Sequence, residues 1–264
     1  MKDLQVVLQE VKTLSREVGE YIAREADQFD PRKVELKGLN DLVSYVDKAA
    51  EAQLVEGLSM ILPEAGFITE EGTAFHNDEE YRWVIDPLDG TTNFTHGLPV
   101  FSISIALMIN NRVELGVVYE INRRELFEAI RGHGARLNDR EISISNRQAL
   151  SESLLATGFP YWDFKQMPSY LRILDEFMKN THGLRRMGSA AVDLAYVACG
   201  RFEGFFEYNL NAWDVAAGSL LVEEAGGMVT DFGGGGNFLF GREIIAAGKP
   251  YAEMQKTIAR HWNN

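Results

Sequence analysis

Residues 83–94, WVIDPLDGTTNF, place Asp86 and Asp89 three positions apart, directly ahead of a glycine and two threonines. The stretch begins as an apolar strand over Tyr81 to Ile85. Pro87 has no N–H to give to a ladder and is expected to end it. A turn after Pro87 puts Asp86 and Asp89 on one side, with the Leu88 carbonyl nearby. Gly90 lets a ligand approach the backbone. Thr91 and Thr92 offer N–H groups and hydroxyls at a helix start, where an anion binds well. Carboxylates for a cation beside donors for an anion suit a metal-bound phosphate. Asp-Pro and Asp-Gly are also common turn dipeptides, but a capped turn leaves the rest of the stretch unexplained.

Other acidic positions extend the set. Glu70 and Glu71 end the stretch GFITEE. Neighbouring side chains of an extended chain point to opposite faces, so one of the two faces a shared site; a solvated acidic loop is the other reading. Asp214 follows Trp213 and opens an apolar helix, where taken alone it reads as an N-cap. Glu70, Asp86, Asp89 and Asp214, with one carbonyl, can hold two Mg2+ ions about 3.5–4 Å apart, because hard cations take oxygen ligands and few carboxylates each. Five scattered histidines and one cysteine show no zinc-ligand spacing.

The elements that must position these residues alternate in type. Leu4, Val7, Leu8, Val11, Leu14, Val18 and Ile22 recur at helical spacing over residues 2–27. Residues 29–40 read as a polar loop, after which Asp41 can cap a helix running to about residue 61. GFITEEG is a short strand. FSISIALMI and VELGVVYE form a hairpin joined by NNR, and LFEAIRG and GARLNDREISIS continue a mostly antiparallel sheet. Beyond residue 150 the pattern changes: strands at SLLATGFP, FEGFFEY and EIIAAG, and helices at 167–180, SAAVDLAYVACG, WDVAAGSLLVEEAGG and from Tyr251 to His261. Two halves, 1–150 and 151–264, are expected to form one compact catalytic unit. DFGGGGNF lacks a following basic residue or helix start and reads as a flexible turn rather than a P-loop.

The chain has 264 residues, 45% of them apolar, enough for a large core. A formal charge of −13 argues against nucleic acid or an anionic membrane as the main partner. It also requires a cation to screen the site if the substrate is an anion. Cys199 reads as a packed, inert thiol. The stretch MKDLQVVLQEVKTL has no unbroken apolar core and no long apolar run follows, so a cytoplasmic protein is expected.

ITEEG (68–72), WVIDPLDGTTNF (83–94), GSAAVDLAYVACG (188–200) and WDVAAGSLLVEEAGG (213–227), in this order, resemble the inositol monophosphatase family of Mg2+-dependent, lithium-sensitive phosphatases. TGFPY (157–161) and LFGREIIAAG (239–248) are also similar to it. The resemblance implies an α+β fold, a layered αβαβα sandwich, and a homodimer. It implies two or three Mg2+ ions ligated by Glu70, Asp86, the Leu88 carbonyl, Asp89 and Asp214. Gly90 and Thr91 would hold the phosphate, and Glu70 with Thr91 would orient the attacking water. Gly188, Ser189 and Ala190 match a substrate-lining stretch, and Glu207 an acid that contacts substrate hydroxyls. Lys37 and Asp47 match positions in the loop and second helix, with a surface lysine and a solvated aspartate as the other readings.

The expected reaction is hydrolysis of a small phosphate ester, inositol 1-phosphate first. Histidinol phosphate, fructose 1,6-bisphosphate and 3′-phosphoadenosine 5′-phosphate are alternatives with the same chemistry. Glu207 favours a polyol, since a carboxylate accepts hydrogen bonds from vicinal hydroxyls and repels a second phosphate. A non-catalytic scaffold on this fold, or a nuclease, are the remaining classes. The scarcity of basic residues around the motifs fits recruitment of the anion by metal.

Overall fold

The computed structural model describes residues 2–29, 34–36, 42–72, 79–161 and 163–262. Helix α1 (Leu4–Asp27) is capped by the Asp3 carboxylate on the Gln5 N–H, and it buries Val7, Leu8, Val11, Val18 and Ile22. The stretch expected to be loop over 29–40 contains a strand, β1 (Val34–Leu36), paired antiparallel with β2 (Leu42–Ser44). Asp41 lies outside the described residues. The cap of α2 (Tyr45–Ile61) is Ser44, whose hydroxyl accepts from the Val46 N–H while Asp47 takes the Ser44 N–H.

β3 (Gly66–Thr69) runs parallel to β4 (Tyr81–Asp89), and the short α3 (Thr91–Thr95) follows. β5 (Ser102–Ile109), β6 (Arg112–Glu120), β7 (Glu125–Ile130), β8 (Ala135–Leu137) and β9 (Arg140–Ile142) extend the sheet antiparallel in chain order. The NNR hairpin is tighter than its three residues suggest. Ile109 pairs with Arg112, and Asn110 and Asn111 take φ of +49° and +66°, the signature of a two-residue type I′ turn.

The second half contributes β10 (Leu154–Thr157), α4 (Met167–Asn180), β11 (Gly183–Arg185), α5 (Ala190–Ala198) and β12 (Gly204–Tyr208). It ends with α6 (Ala212–Glu224), β13 (Met228–Thr230), β14 (Glu243–Ala247) and α7 (Tyr251–Trp262). Its sheet runs β11-β10-β12-β14-β13, with β10 parallel to both neighbours and β14 antiparallel to its own. β11 and β13 are three residues each, too short to announce themselves by alternation. The glycine run forms a closed turn in which Asp231 accepts from the Gly235 and Asn237 N–H groups.

Alternation along the strands sets the layering. Trp83, Ile85, Ile103 and Ile105 pack with α1 and α2; Val84, Ala106 and Met108 on the other face pack with α5 and α6. Phe205, Ile244 and Ala246 of the second sheet close that middle core from beyond. Phe206, Ile245 and Ala247 point outward to Tyr170 and Phe177 of α4 and Ile258 of α7. The result is the expected αβαβα sandwich. The middle helices sit close because small residues face them: a Cβ on Gly116 of β6 would lie 2.9 Å from the Ala217 carbonyl oxygen. Cys199 ends α5 half-buried, and burial pushes its thiol up, as fits an inert packed residue.

Candidate active site

β4 does not stop at Pro87. It runs on to Asp89 through a bulge, with Asp86 opposite Ser104 and Asp89 opposite Ser102. In an unbroken strand residues three apart face opposite sides. The bulge re-aims them, and Asp86 and Asp89 reach one cavity by this route rather than by a turn. Pro87 sits in the bulge, where a missing N–H breaks no ladder bond. The Leu88 N–H instead donates to Asp86 Oδ1 at 2.9 Å.

Gly90 takes φ +102°, and a Cβ there would lie 3.0 Å from the Val100 carbonyl oxygen and 3.2 Å from that of Gly188. Asn93 is buried under the turn. Its amide nitrogen donates to the carbonyls of Val100 (2.7 Å) and Met187 (2.8 Å), fastening the motif to the chain ahead of α5. α5 in turn aims Asp89: Ser189 Oγ and the Ala191 N–H both donate to Asp89 Oδ2 at 2.7 Å. Asp214 is the third residue of α6 rather than its N-cap. Asn211 is the cap, and its N–H donates to Asp214 Oδ2 at 2.6 Å.

Asp86, Asp89 and Asp214 each present an oxygen within 4.8 Å of the other two. Burial holds Asp86 well above the usual carboxylate range, with Glu70, Asp89 and Asp214 adding repulsion. Burial lifts Asp214 to about 7, helped by Asp89. It lifts Asp89 to about 6, against the opposing pull of the Ser189 hydroxyl. Like charges gathered out of water are stable only with protons or a cation between them. The donors are all oxygen, so the set fits a hard divalent ion such as Mg2+.

Helix α2 supports this cluster from beneath. Asp47 is fully buried, not solvated, and accepts from Thr91 Oγ1 at 2.8 Å and from Ser44. The Leu88 carbonyl is also within reach of Thr91 Oγ1, at 3.1 Å, but the carboxylate is the stronger acceptor for its one hydrogen. One turn on, Glu51 accepts the Glu71 N–H at 2.7 Å. Of the glutamate pair, Glu70 is the one in the cavity wall. Lys37 lies outside the described residues.

The cavity, about 830 Å³ counting its open mouth, continues past the aspartates. Gly188, Ser189 and Ala190 line it, together with Leu88, Gly90, Thr91 and Glu207. The predicted metal, phosphate and substrate residues among those described thus line one cavity. Gly158 packs so closely on the Glu207 carboxylate that a Cβ would overlap it. Burial, then Asp214, holds Glu207 well above its ordinary range. Sequence reading missed Asp193, Asn209 and Arg186 in the same wall. Arg186 corrects the expected lack of basic residues: its guanidinium draws Asp89, Asp193 and Glu207 downward against burial. The only signal for Glu51 was its spacing of four from Asp47 on an apolar helix.

A layered α+β sandwich carrying an all-oxygen, cation-fitting cluster beside a glycine turn defines the class of this protein. The chain belongs to the inositol monophosphatase family, whose profile matches residues 3–264. The Nus factor SuhB of Pasteurella multocida (strain Pm70) is 45% identical over 234 residues, 88% of each chain. The extragenic suppressor protein suhB of Bartonella henselae superimposes with a TM-score of 0.91 at 40% identity, over 96% of this chain and 98% of that one. The inositol monophosphatase of Anabaena (Nostoc) sp. PCC 7120 does so with a TM-score of 0.85 at 34% identity, over 98% and 97%. Relatives named Nus factor lend no support to the expected absence of a nucleic-acid partner. No helix among the described residues is long and apolar enough to cross a membrane.

Proposed function

We propose that this chain hydrolyses phosphate monoesters with Mg2+, inositol 1-phosphate first among them. The observation that carries the reading is the trio of aspartate oxygens within 4.8 Å, that of Asp86 fully buried, in a cavity that Gly90 and Thr91 also line. Asp86, Asp89, Asp214, Glu70 and the Leu88 carbonyl would hold the metal. When bound, Mg2+ supplies Lewis acidity to the phosphoryl group. Gly90 and Thr91 present N–H groups to the phosphate oxygens. Asp47 accepts the hydrogen bond of the Thr91 hydroxyl, which leaves the oxygen lone pairs of Thr91 for a water that Glu70 also holds. Glu70 accepts a proton as that water forms its bond to phosphorus. The ester P–O bond breaks, and the leaving oxygen takes a proton that solvent relays from Glu70, which returns Glu70 to its carboxylate. No protein nucleophile is required. Glu207 receives hydroxyls of the alcohol.

The test is phosphate release under Mg2+ titration from inositol 1-phosphate, histidinol phosphate, fructose 1,6-bisphosphate and 3′-phosphoadenosine 5′-phosphate. Release from the first, inhibited by Li+, supports the reading; no Mg2+-dependent release from any of them rejects it. Light scattering tests the homodimer that this reading includes. The relatives' name, Nus factor, favours a second reading, a factor role exercised on another macromolecule. The intact aspartate cluster argues that turnover is present alongside any such role.

A further inference from the structure

Two residues of this cavity's wall each carry a buried polar atom with no hydrogen-bond partner among the described residues: Asp193 Oδ1 and Asn209 Nδ2. Asp193 lies in the first turn of α5, four residues after Ser189, and is 1% exposed. Asn209 follows β12, two residues beyond Glu207. Its amide is not free to flip. Oδ1 accepts from Arg242 Nε at 3.2 Å, which leaves Nδ2 as the unmatched donor. The backbone of Asn209 is held as well, its N–H donating to the Arg242 carbonyl at 2.6 Å and its carbonyl accepting from the Arg242 guanidinium at 3.2 Å.

Unpaired buried polar groups are costly, and a native protein that keeps two of them in one cavity wall calls for a reason. One orphan is an acceptor and the other a donor. Neither belongs to the aspartate trio that fits the cation. A hydroxyl group both donates and accepts, so two hydroxyls of a polyol present the complement of this pair. We propose that Asp193 and Asn209 are specificity-determining residues that, with Glu207, read the hydroxyl groups of the departing alcohol. This rests on the phosphatase reading above. Both atoms are covered in the free protein, so each side chain must turn on binding, a change common at interfaces, and Asn209 must loosen the bond from Arg242 Nε as it does so. Two acids at this end also disfavour an alcohol that carries a second phosphate.

A merely structural role leaves a different mark. Asp193 would then serve only the N-terminal turn of α5, and Asn209 would only fill a left-handed position at φ +71°. Loss of either would slow all substrates alike. The full chain with Mg2+ is therefore assayed on 4-nitrophenyl phosphate, whose leaving group carries no further hydroxyl, on glycerol 2-phosphate and on inositol 1-phosphate. The variants are Asn209→Gly, Asp193→Leu and Asp193→Asn. Glycine favours the backbone of position 209, so the first is expected to fold even if Asp193→Leu does not.

The ratio of kcat/KM for inositol 1-phosphate to that for 4-nitrophenyl phosphate is expected to fall about tenfold in Asn209→Gly and Asp193→Leu, mostly through KM. Asp193→Asn, which keeps an acceptor oxygen, restores it. An unchanged ratio in Asn209→Gly, even with both rates lowered, overturns the proposal, as does Asp193→Asn matching Asp193→Leu. If the wild type spares inositol 1-phosphate but cleaves glycerol 2-phosphate, the inositol assignment alone fails, and the ratio for glycerol 2-phosphate decides in the same way. No release from any ester removes the phosphatase reading and this inference with it.

Discussion

The two ends of the cavity are held in different ways. At the phosphate end each aspartate is fixed by backbone donors: Asp86 by Leu88, Asp89 by Ala191, Asp214 by Asn211. Their geometry is set before any ligand arrives. At the alcohol end Glu207 and Asn209 come from β12 and the residue just after it, Asp193 comes from α5, and two of the three leave a polar atom unmatched. The first arrangement suits chemistry common to all phosphate esters, which needs preorganisation. The second suits recognition of one alcohol among many, where an unmatched site penalises the wrong one.

The contrast breaks most easily at the phosphate end. Asp89→Asn keeps an acceptor for Ser189 and Ala191, so it is expected to fold and to lose about 10³-fold in kcat/KM, the worth of several kcal/mol of charge stabilisation. Phosphate release across a Mg2+ titration measures this, and retained turnover would remove Asp89 from the metal set. Thr91→Val keeps the shape but takes the hydroxyl from Asp47, and kcat is expected to fall about 100-fold. A loss confined to KM would mean that Thr91 only binds.

The alcohol end answers more mildly. Gly158→Ala displaces the Glu207 carboxylate and is expected to raise KM for inositol 1-phosphate about tenfold, roughly one charged hydrogen bond. An equal loss on 4-nitrophenyl phosphate would show that the two ends are not separable.

The smallest effect is on stability. Without metal, Asp214 titrates near about 7 and Asp89 near about 6 in the folded chain, against about 4 unfolded. The folded state then holds more protons through that window, so its stability falls as pH rises from about 4 to 7. In EDTA, Tm is expected to drop by a few degrees between pH 5 and pH 7.5, and Mg2+ to restore more at the higher pH. Asp214→Asn should flatten that slope; an identical slope would assign it to other groups.

How much was legible follows the same division. The run from Asp86 to Thr91 could be read because six consecutive residues carry both the cation ligands and the anion donors. Even there the means were misjudged, since Pro87 marks a bulge and not the end of β4. Asp47 looked like a weak match on a helix until Thr91, 44 residues away, was seen to donate to it. The partnership of Asp89 with Ser189 spans 100 residues and has no local signature. The helices showed through their long apolar period, whereas β11 and β13 were too short to show anything.

By itself the sequence determined the chemistry at hand: which carboxylates, glycine and hydroxyls exist, and that those of the central motif are bound to lie together because the chain links them directly. Only the tertiary structure decided which side chains face inward and which oxygens stay free, and that Asp193 and Asn209 share a wall with Glu207. Those choices depend on how α5, α6 and β12 pack against one another, and packing between distant segments is encoded in the shape of the whole core rather than in any one stretch of residues.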